Sequence, residues 1–443
     1  MKPTFILGQP LSQVQFFVNY ILSFPRLLIT SIFCFFWIAS FIWYYPYSTH
    51  DPSSFFYSKS YGHEKIYSLI REQEAEAYIS AANTAAEDSP RLHNPSSSPS
   101  LCLGVATVAR PDKQYIGATV GSILDGLTDK ERAQIHFIFF IAHTNISEHP
   151  SASEPWTRSV PDTALSYDGL DPKKVSEIVQ WEQNHDYMSK GLFDYQYLLQ
   201  SCYEKTTAPY IAILEGDVLA AKGWYNRAIT AAVHIDSLNP LLTDQPARVK
   251  DDVNSLWLYL RLFHTEYYFA WNSEEWPTFL SYTLVIFLIP GMVLFSLRIC
   301  FPHHLSRPLS NPNLFLALFI FLPLTIGLYI SLGRSTVAPL SQTYPAGVQQ
   351  MDNYGCCGQG FVFPRRLVPM IRRRIDDRVE GYIDMLMERV AGMYGLQRWA
   401  LVPSVLQHIG GKSSKGDAIA DSRANMIWSY GFERWGKEGA VGL

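Results

Sequence analysis

Three long apolar stretches without a charged residue constrain this chain more than any other feature. They cover residues 27–45, 276–297 and 314–332, and each is long enough to cross the hydrocarbon core of a bilayer as a helix. Pro290 lies inside the second stretch and Pro323 inside the third, and a membrane helix tolerates an internal proline better than a soluble helix does. We therefore predict an N-terminal transmembrane anchor and, from the second and third stretches, a transmembrane hairpin at 276–332.

Basic residues indicate which ends of these stretches are cytoplasmic. The N-terminal tail, residues 1–26, carries Lys2 and Arg26, and the turn of the hairpin carries Arg298 and Arg307. Neither segment contains an acidic residue. Because Lys and Arg are enriched in the cytoplasmic loops that flank membrane helices, we predict that the tail and the turn are cytoplasmic.

The remaining parts of the chain, 46–275 and 333–443, would then be lumenal, although Arg334 just after the third stretch argues the other way. Four cysteines fall in these lumenal parts: Cys102, Cys202, Cys356 and Cys357. An even number of cysteines in an oxidising compartment predicts disulfides, and three pairings are open. A zinc site is not indicated, because the cysteines and histidines lack the clustered spacing of its ligands.

The lumenal sequence changes character at residue 101. Residues 46–100 end in a segment rich in Ser, Pro and Asn, and we interpret them as a stem. Short apolar runs then alternate with helical patterns, which predicts an α/β fold with parallel strands. Neither 101–275 nor 333–443 supplies all the strands that a complete sheet needs, so we predict one domain that the hairpin interrupts. A net charge of −4 argues against a nucleic-acid partner.

Two carboxylates end one of the predicted strands, in the sequence Leu214-Glu215-Gly216-Asp217. Ligands of parallel α/β sheets bind beyond the carboxyl ends of the strands, and we expect Asp217 to be a surface acid there. Paired carboxylates can hold a hard divalent cation. Acids at this place also commonly cap the helix that follows, so the pattern alone leaves both interpretations open.

The sequence YIAILEGDVLAAKGW (210–224) resembles the metal-binding strand of GT-A glycosyltransferases, in which an acidic motif stands at this place. VARPDKQYIGATVGSILDGLTDKER (108–132) and VPSVLQHIGGKSS (402–414) resemble the N-acetylglucosaminyltransferases that branch N-glycans. They resemble more closely the family that adds N-acetylgalactosamine to GPI anchors. That family also has a membrane hairpin that splits its GT-A domain, and the resemblance covers roughly residues 25–415.

This resemblance implies a GT-A-like domain and a membrane-bound glycosyltransferase of the Golgi or endoplasmic reticulum with its catalytic domain in the lumen. The enzyme would transfer a sugar, an N-acetylhexosamine, from a UDP-sugar to the glycan of GPI-anchored proteins. A divalent cation such as Mn²⁺ would be its cofactor.

The resemblance also implies roles for particular residues. Glu215 and Asp217 would occupy the acidic motif and bind the metal, whereas Gly216 stands where the family has an acid. His408 would be a third ligand or would contact the diphosphate. The other candidates for binding the nucleotide sugar are Arg110, Lys190 and Asp194. For each of them, an ordinary structural role is the competing interpretation.

An inverting transferase needs a general base beside the acceptor hydroxyl. Asp384 is our candidate, because GT-A enzymes often carry such an acid at the start of a late helix. Glu380 is its competitor. An acid in the first turn of a helix is also favoured by the helix dipole, and this structural interpretation carries at least equal weight.

Two surface features remain. Asn145-Ile146-Ser147 is an N-glycosylation acceptor sequence. A cluster of arginines follows the hairpin, and we favour a solvated helix face over contacts with anionic lipid or glycan phosphates. Its members are Arg365, Arg366, Arg372, Arg373 and Arg374.

Two other functions compete with GPI-glycan modification. One is an N-glycan branching N-acetylglucosaminyltransferase. The other is a degenerate, non-catalytic membrane protein that binds glycans, which the missing acid at Gly216 would explain.

Overall fold

The structure is a computed structural model that describes residues 25–88, 96–111, 113–238, 256–271, 273–301, 309–337, 347–351, 355, 357–376, 381–410 and 427–438. The chain divides into two compact units. The helical unit comprises Met1–Ser58 and Phe269–Leu340, and the α/β unit comprises Lys59–Tyr268 and Ser341–Leu443.

The strands are β1 (Leu101–Thr107), β2 (Ile135–Ile141), β3 (Thr163–Leu165), β4 (Tyr210–Glu215), β5 (Val218–Ala220), β6 (Trp257–Arg261), β7 (Val348–Met351), β8 (Gly360–Pro364), β9 (Gln397–Leu401) and β10 (Leu406–His408). The helices are α1 (Pro25–Ser48), α2 (Tyr67–Asp88), α3 (Ile116–Leu124), α4 (Asp129–Ala133), α5 (Trp156–Ser159), α6 (Pro172–Gln183), α7 (Tyr187–Lys205), α8 (Trp224–Ser237), α9 (Trp276–Cys300), α10 (Asn311–Leu316), α11 (Leu322–Leu332), α12 (Arg334–Val337), α13 (Val368–Asp376), α14 (Ile383–Tyr394) and α15 (Tyr430–Glu438).

The helical unit contains three helices that are long and apolar enough to cross a membrane: Arg26–Ser48, Trp276–Cys300 and Asn311–Leu332. The third joins α10 and α11 through a π-helical turn. Within this unit, Trp37 donates a hydrogen bond to the Leu324 carbonyl at 3.1 Å. The prediction of three membrane helices is confirmed at the level of length and composition. Lys2 and Arg307, on which the predicted orientation partly rests, lie outside the described residues.

The α/β unit contains an eight-stranded sheet with the order β3-β2-β1-β4-β8-β6-β9-β7. The first four strands are parallel, and β8 runs antiparallel to both β4 and β6. Alternate residues of β1 face opposite sides: Leu101 and Leu103 lie in one buried cluster and Cys102 in the other. Helices cover both faces, which explains why β1 and β2 are apolar runs without polar alternation. The predicted α/β fold is confirmed.

Strands from both sides of the hairpin interleave in this sheet. β8 lies between β4 and β6, and β9 pairs with β6 on its other side. β4 and β6 precede the hairpin in sequence, whereas β8 and β9 follow it. The sheet therefore needs both parts of the split sequence.

Helix α2 falls within residues 46–100, the range that we predicted to be a stem. Its Arg71 is fully buried and donates hydrogen bonds to the carbonyls of Ala220 and Ser122 at 2.9 and 2.7 Å. Gly121 of α3 lies so close to the Ala75 carbonyl that a Cβ there would clash. This part of the predicted stem is consequently a packed element of the α/β unit.

Of the three possible pairings, the structure contains the disulfide Cys102–Cys202, which joins β1 to α7. Cys357 is also disulfide-bonded, and Cys356 lies outside the described residues. Cys34 and Cys300, which belong to the first and second candidate membrane helices, are free thiols.

Candidate functional site

A cleft of about 420 Å³ lies in the α/β unit, bounded by the residues that follow β1 and β4. These two parallel strands are neighbours, but the chain continues from β1 to β2 on one side of the pair and from β4 to β6 on the other side. Such a switch in strand order opens a crevice in which ligands bind. The cleft is lined by every candidate site residue predicted from the sequence: Arg110, Lys190, Asp194, Glu215, Asp217, Asp384 and His408.

Asp217 is brought to His408 by the two-stranded sheet. β5 begins directly after Asp217 and pairs with β10, so that Val218 lies opposite His408. His408 Nε2 is 3.2 Å from Asp217 Oδ2, and the Ile409 amide donates to the Asp217 carbonyl at 2.9 Å. Asp217 is only 4% exposed, so the expectation of a surface acid was wrong. β10 covers the side chain, from a part of the chain far away in sequence.

Arg110, which follows β1, completes the charged group around Asp217. Its Nη2 donates to Asp217 Oδ2 at 2.6 Å. Burial alone would raise the pKa of the Asp217 carboxyl, but His408 and Arg110 outweigh burial and lower this pKa to about 2. Burial opposes a charge on His408 as well, yet the adjacent Asp217 carboxylate raises the pKa of His408. Asp217 is therefore an anion that lies between Arg110 and His408.

Glu215, Asp217 and His408 can each offer one ligand atom, and these atoms lie within 4.8 Å of one another. Two buried atoms of this group, Asp217 Oδ1 and His408 Nδ1, have no hydrogen-bond partner among the described residues. A mixed carboxylate and imidazole set suits a divalent cation such as Mn²⁺. Arg110 competes for the same carboxylate but bonds only its Oδ2. The residues present therefore fit a cation.

Gly216 departs from the acidic motif for a steric reason. A Cβ at this position would lie 2.8 Å from the Ala106 carbonyl oxygen and 3.2 Å from Thr107 Cβ. Both neighbours belong to β1, so an acid at position 216 cannot be accommodated without moving the sheet. Sequence analysis missed a second such position, Gly410, where a Cβ would clash with Asp217 Oδ2. The Gly-Gly pair after His408 was the available signal.

Lys190 and Asp194 form one buried network on α7. Asp186 caps this helix by accepting from the Ser189 amide at 3.0 Å, and four-residue spacing then places Lys190 beside Asp194. Lys190 Nζ donates to Asp194 Oδ2 at 2.8 Å and to the Ala142 carbonyl at 2.6 Å. Tyr167 also donates to Asp194. Lys190 and Asp194 thus bond to each other and to the surrounding protein. This favours a structural role in the wall of the cleft over direct binding of the nucleotide sugar.

Asp384 lies in the first turn of α14, where its Oδ1 accepts a hydrogen bond from the Met385 amide at 2.9 Å. It lines the cleft, as a residue that acts on a bound acceptor must. Its competitor Glu380 lies outside the described residues.

Three of the clustered arginines bond to the protein itself. Arg365 donates to the Tyr203 carbonyl, Arg366 lies 2.7 Å from Asp236, and Arg374 donates to the Tyr394 hydroxyl. These contacts hold three of the arginines within the α/β unit, so the cluster is less solvated than the predicted helix face, and they give no support to binding of lipid or phosphate.

Sequence analysis missed a group of hydrogen-bonded polar residues next to His408. We call this group the C-terminal clamp, and its members are Glu266, Gln407, Ser429 and Glu433. Gln407 precedes His408, and its amide exchanges hydrogen bonds with the backbone of Ser429, each 2.9 Å long. Gln407 also donates to Glu433 at 2.8 Å.

The remaining member of the C-terminal clamp is Glu266. It accepts hydrogen bonds from Ser429 Oγ at 3.0 Å, from the Tyr430 amide at 2.8 Å and from the Gly431 amide at 2.7 Å. These contacts attach the start of α15 beside β10, the strand that carries His408.

One family model matches residues 101–407, and its description is GPI-N-acetylgalactosamine transferase PGAP4. No curated protein matches the chain. The matched range contains the sheet, the hairpin and every candidate residue of the cleft except His408, which follows it directly. Because this range is more than half of the 443 residues, the chain belongs to the GPI-N-acetylgalactosamine transferase PGAP4 family.

Proposed function

We propose that this chain transfers an N-acetylhexosamine from a UDP-sugar to the glycan of GPI-anchored proteins, in the lumen of the Golgi or endoplasmic reticulum. Membership of the family supports a transferase that acts on GPI glycans. The observation that carries the rest is the cleft, in which a carboxylate and imidazole cluster lies beyond the carboxyl end of β4.

The strand order supports a GT-A-like domain. Four parallel strands in the order β3-β2-β1-β4 form the half of the sheet at whose switch point a nucleotide would bind. The small sheet of β5 and β10 then returns His408 to the carboxyl end of β4. We infer that the nucleotide sugar occupies the cleft, with its diphosphate near Asp217.

Glu215, Asp217 and His408 would hold the divalent cation. When bound, such a cation neutralises the charge that develops on a departing diphosphate. Arg110 is held beside the same position by its bond to Asp217 and adds a second positive charge. Asp384 would accept the proton of the acceptor hydroxyl as the general base.

The two competing functions are less well supported. The family match names GPI glycans and gives no support to N-glycan branching. The non-catalytic alternative rested on the missing acid at position 216, and the close approach of Gly216 to β1 gives a steric reason for that absence.

A transfer assay tests the proposal. The full chain, purified in detergent, is incubated with Mn²⁺, a GPI-anchored protein and one of four donors: UDP-GalNAc, UDP-GlcNAc, UDP-galactose or UDP-glucose. We expect the mass of the GPI glycan to increase by one N-acetylhexosamine, and chelation of divalent cations to abolish the reaction. Failure of every donor to modify the GPI glycan would overturn the proposed function.

A further inference from the structure

Two polar side chains in the cleft have no role in the scheme above. Tyr195 projects from α7 and is 8% exposed, and Gln359 immediately precedes β8 and is 5% exposed. Both line the cleft. Tyr195 Oη and Gln359 Oε1 are buried, and neither has a hydrogen-bond partner among the described residues.

Other buried or half-buried tyrosines of the α/β unit do not share this property. Tyr197, two residues further along the same helix, donates to the Ser166 carbonyl at 3.0 Å. Tyr167, Tyr210 and Tyr259 each donate to a carboxylate. Because a buried polar atom without a partner destabilises a fold, the two unpaired atoms in the cleft need an explanation, and a bound ligand supplies one.

Both residues lie beside Glu215, one of the candidate metal ligands. The Gln359 carbonyl accepts a hydrogen bond from the Glu215 amide at 3.1 Å. Tyr195 lines the same cleft as Glu215. Around them the wall is apolar, with Leu198 and Ile213 lining the same cleft.

The chemistry of this wall selects among ligands. A phosphate offers only acceptors and therefore cannot satisfy Gln359 Oε1. A single hydroxyl can serve either atom but brings no apolar surface. An acetamido group has an N–H donor, a carbonyl acceptor and a methyl group, which match the amide oxygen, the phenol and the apolar wall.

We propose that Tyr195 and Gln359 form the subsite that recognises the acetamido group of the donor sugar. The Tyr195 hydroxyl donates to the acetamido carbonyl, Gln359 Oε1 accepts from the acetamido N–H, and the methyl group packs against the apolar wall. The inference rests on the proposed function, which requires a nucleotide sugar in this cleft. It assigns the choice between an N-acetylhexosamine and a plain hexose to two residues outside the candidate metal cluster.

Binding of matched donors tests this subsite. The dissociation constants of UDP-GalNAc and UDP-galactose are measured by competition against UDP, with the full chain in detergent and Mn²⁺. The variants are Tyr195→Phe and Gln359→Met, and Tyr197→Phe is the control on the same helix. We expect the wild type to prefer UDP-GalNAc, and each cleft variant to reduce that preference roughly tenfold, since each removes one hydrogen bond. The affinity for UDP itself should not change, and Tyr197→Phe should retain the preference.

Two results would overturn the subsite alone: equal affinities of the wild type for the two donors, or a preference that survives in both cleft variants. A loss of affinity that is the same for UDP and both donors would indicate a purely structural role and would also overturn it. Should Tyr195→Phe fail to fold, Gln359→Met decides. Failure of the wild type to transfer any sugar is a separate outcome, and it overturns the proposed function together with the subsite.

Discussion

Asp217 shares one carboxylate oxygen between Arg110 and His408, while its other oxygen has no partner among the described residues. Asp217→Asn removes the charge and keeps the shape. We expect sugar transfer to fall by orders of magnitude, because the diphosphate loses its electrostatic stabilisation. The variant should also lose about 3–5 kcal/mol of stability, because the substitution breaks a buried ion pair.

A thermal melt first establishes the temperatures at which this variant is folded. Sugar transfer is then measured at such a temperature. Glu215→Gln is the comparison and should cost less activity, since Glu215 is less buried and the cation keeps two other ligands. Turnover near the wild-type value in Asp217→Asn would contradict the metal assignment.

Position 216 gives a second prediction. Restoring the family's acid with Gly216→Asp should destabilise the protein by about 1–3 kcal/mol and should not raise activity, because the new Cβ would press on the Ala106 carbonyl. Gly117→Ala is the matched control, since a Cβ there meets nothing within 4 Å. The melting temperature and the transfer rate are measured. An equally stable Gly216→Asp with higher activity than the wild type would revive the degenerate interpretation.

At this scale, the sequence predicted which residues line the cleft but not their environments. The strand-end pattern was enough to select Glu215 and Asp217. The burial of Asp217 was not predictable, because it depends on the pairing of β5 with β10, far away in sequence. The bond between Lys190 and Asp194 could have been expected from their four-residue spacing on a helix.

Among the elements, α15 lies outside the range of the family match but is bound to the candidate site by the C-terminal clamp. Burial raises the pKa of the Glu266 carboxyl to about 7. The hydrogen bonds that Glu266 accepts from the start of α15 lower this pKa, but burial outweighs them. The ordinary pKa of glutamate is 4.5, so the folded protein binds the proton more tightly than the unfolded chain does.

The free energy of unfolding therefore decreases as the pH rises. The stability linked to protonated Glu266, on the order of 3 kcal/mol, is fully present below pH 4.5 and is lost as the pH rises through about 7. We expect the melting temperature to fall between pH 5 and pH 8, and to fall less steeply in Glu266→Gln than in the wild type or in the exposed control Glu76→Gln. A wild-type slope equal to that of Glu266→Gln would contradict this prediction.

Elements differed in how well the sequence revealed them. The apolar runs at 101–110, 135–143 and 208–217 predict β1, β2 and β4, and the Glu- and Ala-rich segment at 64–87 predicts a helix, which is α2. β3, β5 and β10 have three residues each, which is too short for any period to be visible. Helix α15 was not predicted, because hydrogen bonds from distant residues define its start.

For the whole molecule, the predicted topology can be tested at Asn145. This residue is exposed, and Ser147 of the acceptor sequence donates to its side-chain oxygen at 2.7 Å. If 46–275 is lumenal, we expect an N-glycan at Asn145, detected as a mobility shift after endoglycosidase treatment. Asn145→Gln and Ser147→Ala should both abolish the shift. Absence of the glycan, together with digestion of the α/β unit by protease in sealed microsomes, would contradict the topology.

The three candidate membrane helices were visible in hydropathy alone, because charge-free stretches of this length are conspicuous in any sequence. The order of the strands was not visible. Which strand lies between β4 and β6 is decided by long-range pairing, and no local pattern in 256–261 or 360–364 encodes that choice. The same limit applies to the disulfide, since Cys102 and Cys202 meet only through the packing of α7 on β1.

The interleaved sheet has a consequence for how the protein is made. β6 emerges from the ribosome before the hairpin, yet both of its neighbours, β8 and β9, are synthesised after it. At roughly 5–20 residues per second, the roughly 100 residues between β6 and β8 take on the order of 5–20 s to synthesise. During this interval both edges of β6, and the edge of β4 that β8 later covers, lack the strands that pair with them in the finished sheet. Because 276–332 is synthesised before β8 and β9, the sheet can close only afterwards, and a defect in this segment would appear first as a failure to fold the α/β unit.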